Sequence, residues 1–181
     1  MSNRSFTQFT QETLSKTEKA WEGDLKKFPD LFPGDIARIL AFAKQDFSHS
    51  DKNDLAYGVF EDGSSVADSI VQIVITKEGK KFVKMIDCFV RPSIYVRATK
   101  FEEGYVDKVV DVYIASIIGT LQIGDHHKAN AIKVYGRSSA LLAVLTIVAK
   151  LLKDQEDAHN AVAAIEGRWL VVKPKPAKKG K

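Results

Sequence analysis

One cysteine, Cys88, is the only thiol in this 181-residue chain. Without a second thiol there is no internal disulfide framework, and nothing calls for an oxidising compartment. The N-terminal stretch MSNRSFTQFTQETLSK lacks the apolar core of a signal peptide. No uninterrupted apolar run reaches the roughly 18 residues needed to cross a bilayer. These absences lead to the expectation of a soluble, cytoplasmic protein without membrane insertion. Also missing are Gly-x-Gly-x-x-Gly, a P-loop, His-Glu-x-x-His, paired cysteines and Gly-x-Ser-x-Gly. Their absence removes the strongest short signals for nucleotide, zinc and hydrolase chemistry, but not an enzyme with dispersed residues.

Acidic charge is lacking at one end. The last nine residues, KPKPAKKGK, carry five lysines and no acid. Without those five lysines the chain has 22 basic and 23 acidic side chains, so the formal charge of +4 belongs to the tail. The body is nearly neutral. At 45% hydrophobic residues the chain has the material for a substantial core. The expected organisation is one domain over 1–172, with a helical part at 10–48 and a mixed core at 49–172. Residues 173–181 form a basic, disordered tail.

Within the body, Leu14, Trp21, Leu25 and Phe28 share one helical face after Thr10, a potential cap. Pro29, Pro33 and Gly34 punctuate the chain before a second stripe of Ile36, Ile39, Leu40, Ala43 and Phe47. Together they predict a helical hairpin over a sheet. Residues 69–76 and 81–91 read as a β-hairpin around Gly79. Pro92 interrupts it, and 94–99 is predicted to resume as an edge strand. The run at 105–121 can be strand or helix; its length and one broad apolar face favour a helix ending at Gly124. A strand at 131–135 precedes a buried helix at 138–152. A further helix is predicted near QEDAHNAVAAIEG, and a last strand at 168–172. The class is α+β: a two-layer domain with an antiparallel or mixed sheet of about five strands.

Two places carry candidate chemistry. Gly136, Arg137, Ser138 and Ser139 join a strand to a helix, where unpaired amides, two hydroxyls and a guanidinium can hold a phosphate or carboxylate. Lys77, Lys80, Lys81, Lys84, Arg91, Arg97 and Lys100 crowd into one segment with Tyr95 and Phe101, a basic surface with aromatics that suits single-stranded nucleic acid. Asp87 needs a partner, for which Arg91, Arg97 or Lys84 are the expected candidates. Asp125, His126 and His127 read as a polar loop and not as a metal site. Cys88 reads as a small buried hydrophobe.

The sequence therefore predicts a non-catalytic binding protein, contacting DNA or RNA through the central basic strands and the lysine-rich tail. One alternative is a small transferase-like enzyme or ligand-binding domain with an anion at the 136–139 turn. Another is a structural subunit of a larger assembly, with a homo-oligomer or another protein as partner, suggested by the apolar 141–152 helix. No cofactor is assigned.

Overall fold

The computed structural model describes residues 4–28, 33–46, 53–76, 81–154 and 161–175. The chain opens with strand β1 (Arg4–Gln8) and helices α1 (Gln11–Lys27) and α2 (Pro33–Asp46). Three strands follow: β2 (Asp54–Glu61), β3 (Ala67–Ile75) and β4 (Phe82–Val90). Two helices, α3 (Pro92–Thr99) and α4 (Tyr105–His126), lead to β5 (Ala131–Tyr135). Helix α5 (Ser139–Asp154) and the pair β6 (Ala161–Glu166) and β7 (Trp169–Pro174) complete the described chain. The protein is an α+β two-layer domain, a mixed sheet with its helical layer divided between the two faces.

The sheet has seven strands in the order β1-β2-β3-β4-β5-β7-β6, two more than the sequence suggested. Every junction is antiparallel except β4–β5, which pair in parallel from Phe82 opposite Ala131 to Met85 opposite Val134. Ile70 packs with α1 and α2, beside Trp21, Ile39 and Leu40. Its neighbour Val71 belongs to a second cluster with Met85, Val112, Ile117 and Leu145. Alternation along a strand sends adjacent side chains to opposite faces, so both faces of β3 are covered.

Thr10 caps α1 as expected, in a capping box with Thr13. Buried Thr17 and Trp21 then fasten α1 to the start of β3. Thr17 Oγ1 accepts from the Ala67 amide at 3.0 Å, and Trp21 Nε1 donates to the Ala67 carbonyl at 3.0 Å.

Several expectations are corrected. Residues 94–99 are not an edge strand. Pro92 occupies the first turn of α3, where its missing amide costs nothing. The 105–121 run is helical, as preferred, but α4 continues past Gly124 to His126. Asp125 and His126 thus belong to its last turn and His127 is its C-cap, in place of a loop. A Cβ on Gly124 would lie 2.3 Å from Ile132 Cδ1, and one on Gly119 would lie 2.1 Å from the Phe6 ring. These glycines let α4 approach β5 and β1 closely. Residues 161–166 form strand β6, paired with β7 across a turn at Gly167 with φ of +62°. Leu55–Phe60 lies within β2. Residues 4–8, for which no strand was expected, pair with β2 as the sheet edge.

Candidate functional site

Past the Met85–Val134 pair the two parallel strands part company. β4 runs on to Val90, whereas β5 ends at Tyr135 and the chain leaves through Gly136–Ser138 into α5. A crevice of about 280 Å³ opens at this point. Cys88, Phe89 and Val90 of β4 line it, with Asp35 and Ile36 of α2, Pro92 and Tyr95 of α3, Tyr113 of α4, and Arg137 and Ser138. A crevice outside the carboxyl ends of adjacent parallel strands is a recurrent ligand site, because departing loops and helix starts gather there.

The 136–139 turn forms one wall. Gly136 is buried, and a Cβ there would lie 3.0 Å from Leu142 Cβ, so the turn packs tightly on α5. Ser138 is the cap: its Oγ accepts from the Leu141 amide at 3.0 Å and its carbonyl from the Leu142 amide at 3.0 Å. Ser139 is exposed at the first helical position. Arg168, which sequence reasoning missed, straps the turn from the β6–β7 connection. Its Nε donates to the Gly136 carbonyl at 2.8 Å and its Nη2 to the Arg137 carbonyl at 2.7 Å.

Arg137 is committed to a side-chain network. Its Nη1 donates to both oxygens of Asp87, at 2.7 and 2.9 Å, and its Nη2 reaches Asp35 Oδ1 at 3.4 Å. Arg38 Nη2 donates to the same Asp87 carboxylate at 3.2 Å. Asp87 is 3% exposed. Its partners are thus Arg137 and Arg38, in place of Arg91, Arg97 or Lys84; their distance in sequence hid them. Both guanidinium groups also lie over the Phe89 ring, 5.2 Å away for Arg137 and 5.6 Å for Arg38. The hydrogen bond to Asp87 raises the Arg137 pKa further, so its charge is fixed.

The floor of the crevice holds two weak acids. Burial pushes the Cys88 thiol up to about 11, and its Sγ lies 3.4 Å from Ser116 Oγ. Cys88 is only partly buried, since its side chain faces the crevice. Burial likewise pushes the Tyr113 hydroxyl up to about 12, with Ser138 Oγ 3.5 Å away. At neutral pH both keep their protons, so they offer hydrogen-bond donors and no ready nucleophile. Among the described residues no group of three or more His, Cys, Asp or Glu could hold a metal.

The basic stretch does not assemble as expected. Arg91 donates to Asp24 at 2.8 Å, and Arg97 to Glu102. Tyr95 and Arg97 lie on α3, where Tyr95 lines the crevice, and Lys100 caps that helix. Lys84 is half-buried and Lys81 exposed on or beside β4; Lys77, Lys80 and residues 176–181 of the tail lie outside the described residues. Among the described residues no helix is long and apolar enough to cross a membrane.

No family model and no curated protein matches the chain. The chain is similar in outline to solved acetyltransferases. One is a GNAT-family acetyltransferase from Brucella melitensis in complex with acetyl-CoA: 8% identity, 97% of this chain and 91% of that chain covered, TM-score 0.45. Another is the Campylobacter jejuni N-acetyltransferase PseH: 17% identity, 96% and 99% covered, TM-score 0.42. A third is a GNAT-family acetyltransferase from Staphylococcus aureus: 7% identity, 93% and 98% covered, TM-score 0.44. The expectation of a DNA- or RNA-binding protein is corrected: Arg91 and Arg97 of the expected basic surface are held in ion pairs with Asp24 and Glu102, and Tyr95 lines the crevice.

Proposed function

We propose that the protein is a small transferase-like enzyme whose crevice takes a ligand bearing an anionic group at the 136–139 turn. The observation that carries this reading is the crevice itself, which lies beside the start of α5 where parallel strands β4 and β5 diverge. The first-turn amides of α5 at Ser139 and Ala140 precede the Ser138-capped position and have no intrahelical acceptor, which is how a helix start favours an oxyanion. Arg137, held by Asp87 and Asp35, adds a fixed positive charge next to the turn. Ser138 keeps the helix start in place, and protonated Tyr113 and Cys88 supply donors along the floor. A small molecule takes the place of the macromolecular partners expected from the sequence. The same reading keeps the chain as one domain over 1–172 and puts it in the cytoplasm, where a single thiol needs no oxidative partner.

The test uses Cys88 as a reporter, since it is the only thiol in the chain and faces the crevice. Acetyl-CoA, the ligand named for the Brucella structure, is the first probe. At about a hundredfold its Kd, a ligand that binds only the folded state should raise the melting temperature by roughly 5–10 °C. It should also slow alkylation of Cys88 at alkaline pH. Millimolar acetyl-CoA that changes neither the melting temperature nor the alkylation rate rejects the acyl-CoA form of the proposal. If coenzyme A and inorganic pyrophosphate also change neither, the anionic-ligand reading falls with it.

A further inference from the structure

Arg38 and Arg137 come from elements about a hundred residues apart in sequence, yet one buried carboxylate holds both. Asp87 fixes one nitrogen of each guanidinium, Nη1 of Arg137 and Nη2 of Arg38, and the Phe89 ring supports both cations. Guanidinium groups repel one another, and bringing two together needs an anion between them; Asp87 is that anion. It neutralises only one of the two charges. The second is balanced by Asp35, and loosely: its Oδ1 lies 3.4 Å from Arg137 Nη2 and 3.8 Å from Arg38 Nε. Asp35 stands at the crevice wall with a side chain 42% exposed, in contrast to 5% for that of Asp87. A buried carboxylate thus organises the pair, and a half-exposed one occupies its open side.

We propose that Arg38 and Arg137 form a subsite for an oxyanion of the ligand, a carboxylate or a phosphate, and that Asp35 is the group this oxyanion displaces. A planar fork of donors matches such an anion edge to edge, and both arginines remain about half exposed, Arg137 in the crevice wall and Arg38 beside it across Asp87 and Asp35. The subsite faces α2, whereas the amides of the 136–139 turn belong to α5, so it extends the site toward a second part of the ligand or a second substrate. The inference rests on the ligand-binding reading of the crevice and assigns it a substrate class: acids, not amines or neutral sugars.

The experiment follows the arginine Nε–H signals by NMR while full-length protein is titrated with inorganic phosphate or with succinate, sodium chloride holding the ionic strength constant. One of the two anions should shift the Arg38 and Arg137 signals saturably, and the tighter binder identifies phosphate or carboxylate as the class. Asp35→Asn should tighten that anion about two- to fivefold, the scale of a half-exposed charge interaction. Arg38→Gln should weaken it about tenfold, the scale of a lost charge-assisted hydrogen bond. Arg38→Lys keeps the charge, loses the fork and should fall between Arg38→Gln and wild type, which gives the same reading if Arg38→Gln folds poorly. No saturable shift with either anion overturns the proposal, as do wild-type affinities in both Asp35→Asn and the Arg38 variants. Protein that takes acetyl-CoA but fails these tests loses only the arginine subsite. Protein that passes them and ignores acetyl-CoA loses only the acyl-CoA reading.

Discussion

Asp24, near the end of α1, holds two parts of α3 with a single carboxylate. Its Oδ2 accepts from Arg91 Nε at 2.8 Å and from the Ser93 amide in the first turn of α3 at 3.3 Å. This contact orients the crevice residues Pro92 and Tyr95, and it supplies α3 with the cap that Arg91, at its N-cap position, does not provide. Burial by itself would raise the Asp24 pKa, but the Arg91 guanidinium and the Ser93 donors outweigh it and hold the carboxyl below its ordinary value of 3.8. A lowered folded-state pKa stabilises the fold fully above the unfolded value, and that contribution disappears as pH falls through the folded value. Asp24→Asn should therefore cost about 2 kcal/mol at neutral pH, the scale of a charge-assisted hydrogen bond. It should also flatten the part of the acid unfolding curve that lies below 3.8. Urea melts of wild type and variant at neutral and acid pH check both. A stability difference that persists unchanged into acid would mean that the carboxylate charge is not the cause.

Helix α4 shows what a residue-by-residue reading of an element misses. Its apolar periodicity was legible, and so was its preference for helix over strand. Gly124 was expected to end the helix, yet Gly119 and Gly124 are where it meets Phe6 and Ile132. An alanine at 119 would place its Cβ 2.1 Å from the Phe6 ring, so either β1 or α4 must shift. Gly119→Ala should destabilise the fold by about 1–3 kcal/mol despite its better helix propensity, because overpacking outweighs the gain. Thermal melts of Gly119→Ala alone and combined with Phe6→Ala check this, and the second change should recover part of the loss. The misread elements have the same cause. Ile94, Val96 and Thr99 favour a strand by type, but Pro92 and Asp24 start a helix there. Ala161–Glu166 favours a helix by composition, but pairing with β7 beyond the Gly167 turn makes it a strand. In each case a tertiary partner overrides local preference.

At the scale of the molecule, protection should follow position in the sheet. β3 and β4 are paired on both sides, β3 buried on both faces and β4 buried on one and half-buried on the other, whereas β1 and β6 are edges. Amide hydrogen exchange should be slowest in 67–75 and 82–90 and fastest in 4–8 and 161–166. Equal rates across all four strands would show that the sheet opens only as a whole. The candidate site was legible in part for a related reason. The strand–turn–helix unit at 131–152 is local, so Gly136 and Ser138 could be found from neighbouring residues. Asp35, Arg38, Asp87 and Arg168 reach that turn through folding alone, and no spacing in the sequence announces them. The single parallel junction has one more consequence. β4 can join β3 through a short connection, but β5 reaches β4 only after residues 91–130 have traversed α3 and α4. Closing so long a loop comes late and makes folding slow. The crevice exists only once that closure is made, so the ligand proposed for it would find no site on a nascent chain before residues well beyond β5 have emerged. Binding there would be a property of the finished chain, and a ligand present during synthesis would act as a final latch and not as a template.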